Sequence, residues 1–459
     1  MTKATKTNKP GILYCLFKAY LRFFHDRIYY RRMYCLKTEN IPPDGTPLLI
    51  VSNHQNCLND PLGILFAFRD RKPYFITRAD IFTCHPLCSR FLHAIGLLPA
   101  FRIDFEGEAA LGKNEESFRR SERELVNGRT VVMYPESGHQ DKRWLGDFSF
   151  GYTRLAFEAA EMSHFRTEIF ILPACNHYSD YFHIREQMLV KFGTPVSLQP
   201  YYELYRTKPR TAQRQVNLLV RRQIEDLMLD IRDLDNYTAI DFLRNTYGSR
   251  YAAARGFDAQ KLPERLQADR TLTASLQAKY AADPETVQAL YRDALTVQEG
   301  IRALKTDDRL FDRPVCSWTV LVARGAILLA LLPLWVFSLW PGALHFVIPA
   351  LILRRMTDKM FYGTFLYAAS ILITIPLFHT LTFVLTWIYA GLWTALLYTA
   401  ALPFIGLFAW DYRKFFLDTR QAWHHRRRWK TEQMQTLKQL RDDLYRRLDD
   451  LLTKKETIE

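Results

Sequence analysis

Fifty consecutive residues, Phe361 to Trp410, carry no formal charge. At a rise of about 1.5 Å per residue, a helix of that length reaches roughly 75 Å, enough to cross the ~30 Å hydrocarbon layer of a bilayer twice. A second uncharged stretch, Gly325 to Leu353, spans 29 residues and is interrupted by Pro333, Pro341-Gly342 and Pro349. It reads either as one tilted span or as a re-entrant hairpin turning at Pro341-Gly342. A water-soluble bundle needs charged outward faces, which both stretches lack. Three basic clusters flank them: Arg302 to Arg313, Arg354/Arg355/Lys359, and Arg413 to Lys430. If cations stay on the cytoplasmic side, the number of crossings between clusters is even, which favours two membrane hairpins.

The rest of the 459-residue chain has a different character. A mean hydropathy of -0.17 averages a charged stretch, residues 1 to 313, with the apolar one. The net charge of +14 fits an anionic membrane face better than nucleic acid, because no nucleic-acid recognition motif accompanies it. Seven scattered cysteines argue against a disulfide framework and for a reducing compartment. Cys84, His85, Cys88 and His93 lie close together, but no second ligand pair follows at zinc-site spacing, so no metal is expected. The opening residues MTKATKTNKPG lack the apolar core of a signal peptide, which places the expected catalytic part on the cytoplasmic face of a multi-pass membrane protein. Residues 12 to 24, ILYCLFKAYLRFF, are too few to span; they suit a helix in the membrane interface or one docked on the chain's own core.

From residue 28 onward, strand-like and helix-like patterns alternate. IYYRRMYCL, PLLIVSNH, PYFITRA, TVVMYP, IFILPAC and MLVKFGTPV read as strands; the stretch after Asp60-Pro61, residues 114 to 128 and residues 152 to 162 read as helices. This order predicts an α/β fold with a mixed, partly parallel sheet flanked by helices. Charged helical patterns without a catalytic constellation fill residues 201 to 313. The expected organisation is therefore an interfacial helix and first strand (1–39), a catalytic domain (40–200), a helical annex (201–313), membrane hairpins (314–411) and a basic, amphipathic C-terminal helix (412–459). In that last helix Met434, Leu437, Leu440, Leu444, Leu448 and Leu451 form a seam for a partner helix or for the chain's own core.

Four local features carry chemistry. His54 and Asp60 lie just past the strand PLLIVSNH, at the start of a helix. A histidine suits general-base work, and a carboxylate that folds back on it fixes its tautomer and stabilises its cation. Arg102 follows an apolar run and a proline turn, Gly96 to Phe101, and offers a fork for phosphate. Tyr134-Pro135-Glu136-Ser137-Gly138-His139 follows the strand TVVMY. Ser137 is no nucleophile-elbow serine, since Pro135 and His139 stand where glycines are needed. Pro173 closes another apolar strand segment.

In order and spacing these four blocks resemble the glycerol-phosphate/lysophosphatidate acyltransferase family over about residues 40 to 200. The family usually has four residues between its histidine and aspartate; the five between His54 and Asp60 resemble the fungal-type glycerol-3-phosphate acyltransferase subgroup. The third block, usually Phe-Pro-Glu-Gly, is Tyr134-Pro135-Glu136-Ser137 here, with its glycine displaced to Gly138. Ser149-Phe150-Gly151 stands where a basic residue usually precedes a glycine. The resemblance implies transfer of a fatty acyl group from a thioester of coenzyme A or acyl carrier protein to a hydroxyl of glycerol 3-phosphate or 1-acyl-glycerol 3-phosphate. His54 and Asp60 would be catalytic; Arg102, Glu136, Ser137, Gly138 and Pro173 would bind the acceptor, Glu136 by orienting Arg102 or a hydroxyl. No cofactor beyond the thioester co-substrate is implied, and membrane lipid is the expected partner. Two alternatives stand beside it: another lipid acceptor (dihydroxyacetone phosphate, an amino-acid lipid, a lipid A precursor), or a non-catalytic membrane scaffold with a decayed acyltransferase fold.

Overall fold

The structure, a computed structural model, describes residues 10–83, 85–100, 109–136, 142–312, 316–353, 355 and 362–453. The chain divides into two compact units, Met1–Asp230 with Asp358–Phe365, and Ile231–Thr357 with Leu366–Glu459.

The first unit is built on a mixed sheet of eight strands: β1 (Arg32–Leu36), β2 (Leu48–Ser52), β3 (Tyr74–Arg78), β4 (Leu97–Ala100), β5 (Thr130–Met133), β6 (Phe170–Tyr178), β7 (Gln187–Phe192) and β8 (Val196–Ser197). The order is β1-β7-β6-β2-β5-β3-β4, with β8 beside β6. β6 runs antiparallel to β7 and β8; every other pair is parallel. The mixed, mostly parallel sheet follows from the alternation of strand and helix in the sequence. β2 is central and buried on both faces, which is why Leu48, Leu49, Ile50 and Val51 form an unbroken apolar run.

Helices α1 (Ile12–Phe23), α2 (Asn59–Ala67), α3 (Pro86–Ala94), α4 (Ala109–Val126), α5 (Gly151–Met162), α6 (Tyr202–Thr207) and α7 (Pro209–Leu227) surround the sheet. Leu49, Val51, Val131 and Ile171 share one apolar cluster with Leu125 of α4, Leu155 and Phe157 of α5, and Val216, Val220 and Ile224 of α7. The compact unit runs to Asp230, and the charged helix α7 lays its apolar stripe into this cluster. α1 is held by Lys18, whose ammonium donates to the carbonyls of Phe68, Arg69 and Arg71 just after α2, the arrangement a helix C-terminus favours.

Two local expectations differ from the structure. Residues 97–100 form the edge strand β4 instead of a proline turn; an edge tolerates Pro99 because no neighbour needs its missing N–H. Phe24–Tyr29 is a π-helical turn, so the first strand starts only at Arg32.

The second unit is helical. α8 (Tyr237–Thr246), α9 (Gly248–Ala254), α10 (Leu262–Ala282) and α11 (Pro284–Ala303) precede α12 (Trp318–Leu353); α13 (Ile375–Ala390), α14 (Leu392–Arg428) and α15 (Glu432–Thr453) follow. Three helical segments are long and apolar enough to cross a membrane: Trp318–Leu339, Phe365–Ala390 and Leu392–Arg428. Of the two readings of the first apolar stretch, the single helix holds, for α12 continues through Pro341-Gly342. A continuous helix keeps its backbone bonded where water is absent, and a proline kinks it at small cost beside that gain. α13 and α14 do form a hairpin, turning at Gly391 with φ +85°. The leucine seam of α15 is buried against the unit's own α11, not held open for a partner, with Met434, Leu444 and Leu448 inaccessible.

The Asn127-Gly128 turn between α4 and β5 generates a stability prediction. Gly128 has φ +73°, and a methyl group there would overlap the Gly45 carbonyl backbone. Gly128→Ala should destabilise the first unit by about 1–2 kcal/mol from the left-handed backbone alone, and by more from the overlap. Thermal unfolding of the purified chain would register this as a lowered midpoint; an unchanged midpoint would refute it.

Candidate active site

The parallel strands β2 and β5 end side by side next to β6, which runs on to Tyr178: Val51 pairs with Met133, and Ser52 with Ala174. In open α/β sheets the carboxyl ends of the strands are where sites form. Beyond Ser52 the chain is tied down by Asn53. Its side chain receives the Asn176 N–H at 2.8 Å and donates to the Asn176 carbonyl at 3.0 Å, as a further strand residue would. The loop then turns into α2 through Cys57, whose φ is +37°.

This turn brings His54 and Asp60 together. His54 Nδ1 lies 2.8 Å from Asp60 Oδ2. The same oxygen accepts the backbone N–H groups of Gln55 and Asn56, both at 2.8 Å. Asp60 Oδ1 accepts the Tyr178 hydroxyl at 2.5 Å. The Asp60 side chain is fully buried, whereas His54 retains 18% exposure. With the carboxylate accepting at Nδ1, that nitrogen carries the proton and Nε2 carries the lone pair. The imidazole also stacks on Tyr134, with centroids 4.2 Å apart and planes 21° from parallel. The ring is thus fixed by its edge and by its face.

Glu136, expected to orient Arg102 or a hydroxyl, bonds to main-chain N–H groups, while Arg102 lies outside the described residues. Glu136 Oε1 accepts the backbone N–H of His54 at 2.6 Å and its Oε2 that of Gly146 at 2.9 Å. The carboxyl therefore clamps the dyad loop to the segment after residue 142. Phe148 bridges to Glu136, and the Ser149 N–H donates to the Pro135 carbonyl at 2.9 Å, which continues the clamp as a short ladder. Burial pushes the Glu136 carboxyl up to about 7, although both N–H bonds pull it down.

Pro173 lies buried within β6, opposite Val51 of β2. Its carbonyl accepts the Gly193 N–H at 2.7 Å, on the edge where the chain crosses from β7 to β8. A missing N–H costs nothing at that crossover. Arg102, Ser137 and Gly138 lie outside the described residues, as does Cys84. His85, its neighbour, caps α3 by accepting the Leu87 N–H at 3.2 Å.

Several contributors escaped the sequence reading. Tyr178 and Tyr181 lie at and beyond the end of β6; the Tyr181 hydroxyl donates to Gln55 Oε1. Arg143, itself buried, donates to the carbonyls of Tyr178 at 3.2 Å and Ser179 at 3.4 Å. Tyr134 was visible as part of a block, but nothing in the sequence marks it as the ring beneath the imidazole.

The raised Glu136 carboxyl has a stability consequence. The folded chain keeps that proton between about 4.5 and about 7, where the unfolded chain has lost it. Stability from this group is complete below the lower value and falls as pH rises through the upper one. At 1.36 kcal/mol per unit the total is at most about 3 kcal/mol. Glu136→Gln should flatten the unfolding midpoint against pH in that window. At higher pH it should also lower the midpoint, because an amide offers one acceptor where two N–H groups point. A variant with the wild-type slope would show that Glu136 does not titrate there.

Residues 32–176 match the family model described as Acyltransferase. None of the curated proteins searched matches the chain. Among solved structures, the 1-acyl-sn-glycerophosphate (LPA) acyltransferase PlsC from Thermotoga maritima is similar at 16% identity, over 47% of this chain and 78% of that one, with a TM-score of 0.33. The dyad loop, Tyr134 and Glu136 all fall inside the matched segment, so the part of the chain that carries this geometry is also the part that the acyltransferase model describes.

Proposed function

We propose that the chain is an integral-membrane enzyme that transfers a fatty acyl group from an acyl thioester to a hydroxyl of glycerol 3-phosphate or 1-acyl-glycerol 3-phosphate. The observation that carries this reading is the 2.8 Å contact between His54 and a fully buried Asp60 at the carboxyl end of β2, inside the segment matched by the acyltransferase model.

His54 Nε2 removes the proton from the acceptor hydroxyl as its oxygen attacks the thioester carbonyl. The carbon–sulfur bond then breaks, and the thiol leaves with the proton returned from the imidazolium. The products are an ester and a free thiol, with no covalent acyl-enzyme. Asp60 holds His54 in the reactive tautomer and stabilises its cation. General-base assistance of this kind contributes roughly 10²–10⁴-fold, and positioning of two substrates can contribute more. Arg102 is the proposed partner of the acceptor phosphate. Placing the first unit on the cytoplasmic face puts the dyad where the thioester is made, and the candidate spans keep the chain beside its lipid product. The bonded dyad weighs against the decayed-scaffold reading, in which nothing would keep a histidine and an aspartate in contact.

The purified full-length chain, offered glycerol 3-phosphate or lysophosphatidate with coenzyme A or carrier-protein thioesters, should give acylated product identifiable by mass. His54→Ala and Asp60→Asn should each lower turnover about 10²–10⁴-fold. No product from any pairing, or full turnover in His54→Ala, rejects the proposal.

A further inference from the structure

We propose that Tyr178 is a positioning residue that acts on His54 through Asp60, by donating to the carboxylate oxygen that the imidazole does not use. The kinetic part of this inference rests on the acyl-transfer reading; the geometric part does not.

The phenol is held from several sides. Tyr178 is fully buried in β6, paired with Met188 of β7. Its ring lies 6.0 Å from that of Tyr30 and 5.3 Å from that of Tyr181, and its carbonyl accepts from Arg143. From that place its hydroxyl reaches Asp60 Oδ1 at 2.5 Å. Burial, then the charge of Asp60, push the phenol well above its ordinary range, so it remains a neutral donor while the dyad works. The division of labour on Asp60 is complete: Oδ2 serves the loop and the imidazole, and Oδ1 serves Tyr178.

A hydrogen bond donated to one carboxylate oxygen draws negative charge toward itself and leaves less to hold a cation at the other. Tyr178 thereby tempers the pull of Asp60 on the imidazolium. Removing only the hydroxyl should favour the cation. The other groups facing the pair are Tyr134 against the ring, Glu136 on the His54 N–H, and Arg143, Tyr30 and Tyr181 against Tyr178. All persist in a Tyr178→Phe variant, so the difference from wild type isolates the phenol.

The full-length chain in detergent or nanodiscs would be compared as wild type and Tyr178→Phe. The acid limb of kcat/KM should move to higher pH by about half to one unit, a loss of roughly three- to tenfold on the limb. The loss should recover on the plateau, with KM for the acceptor unchanged. The ring-carbon NMR titration of His54, assigned by its disappearance in His54→Ala, should move in the same direction. That signal reads the histidine alone, apart from the titration of Glu136, and it is legible in a protein that transfers no acyl group. A chain without acyl transfer would therefore sink the proposed reaction while the NMR still tested Tyr178. An equal loss at every pH, or an unmoved His54 titration, would reduce Tyr178 to packing and overturn the inference. Should the phenylalanine variant fail to fold, 3-fluorotyrosine at position 178 keeps the shape and donates more strongly. It should shift the limb and the titration to lower pH; no shift, or one to higher pH, is equally fatal.

Discussion

A carboxylate with no access to water is tolerated only where donors replace its hydration. Asp60 meets that condition with four: one imidazole N–H, two backbone N–H groups and one phenol. Much of the local architecture follows from satisfying it. The two backbone donors require the chain after β2 to curl around the carboxylate, which the left-handed Cys57 permits. The phenol requires β6 to extend past the end of β2, and Asn53 bridges the interval by bonding to Asn176 in place of a paired strand. The imidazole is then the one donor of the four that also reaches solvent.

A second buried carboxyl group complements the first. Glu136 touches the same loop from the β5 side, but through backbone N–H groups. The two acids divide the work: Asp60 orients the histidine side chain, and Glu136 fixes the histidine main chain. Their environments separate them. Asp60 has four donors, one of them the histidine. Glu136 has two neutral donors and heavy burial, and its carboxyl rises to about 7.

This also explains what could be read in the sequence. An apolar run that ends abruptly in polar residues marks a strand delivering a loop, so PLLIVSNH and TVVMYPE pointed to His54 and Glu136, and the polar helix start after His54 pointed to Asp60. Tyr178 gave no such mark: it is one more residue of a buried strand, and its partner lies 118 positions away. The main-chain bonds of Glu136 left no mark either, because a side chain that binds main-chain N–H groups leaves no pattern of partner residue types. Helix α7 was assigned to a separate annex for a related reason. Its surface is charged, and the stripe Val216, Val220 and Ile224 identifies an amphipathic helix without saying which core it covers.

The second unit can be measured against a bilayer by its own landmarks. Leu329, Phe337, Ile388 and Leu397 are each more than 60% exposed, and burying one such side chain is worth about 1.5–3 kcal/mol, so water is a poor solvent for these faces. Two polar side chains between the helices are instead satisfied by main-chain carbonyls. Trp335 of α12 donates to the Ala409 carbonyl at 3.2 Å, and Tyr412 of α14 donates to the Leu328 carbonyl at 2.8 Å. Trp387, Tyr389 and Trp393, all exposed, surround the turn at Gly391, as aromatics do at a membrane interface. From Gly391 to Asp411, the first charge on α14, is about 30 Å of helix, the thickness of the hydrocarbon layer. The basic stretch from Arg413 onward therefore begins where α14 would leave hydrocarbon, and the helix continues unbroken to Arg428.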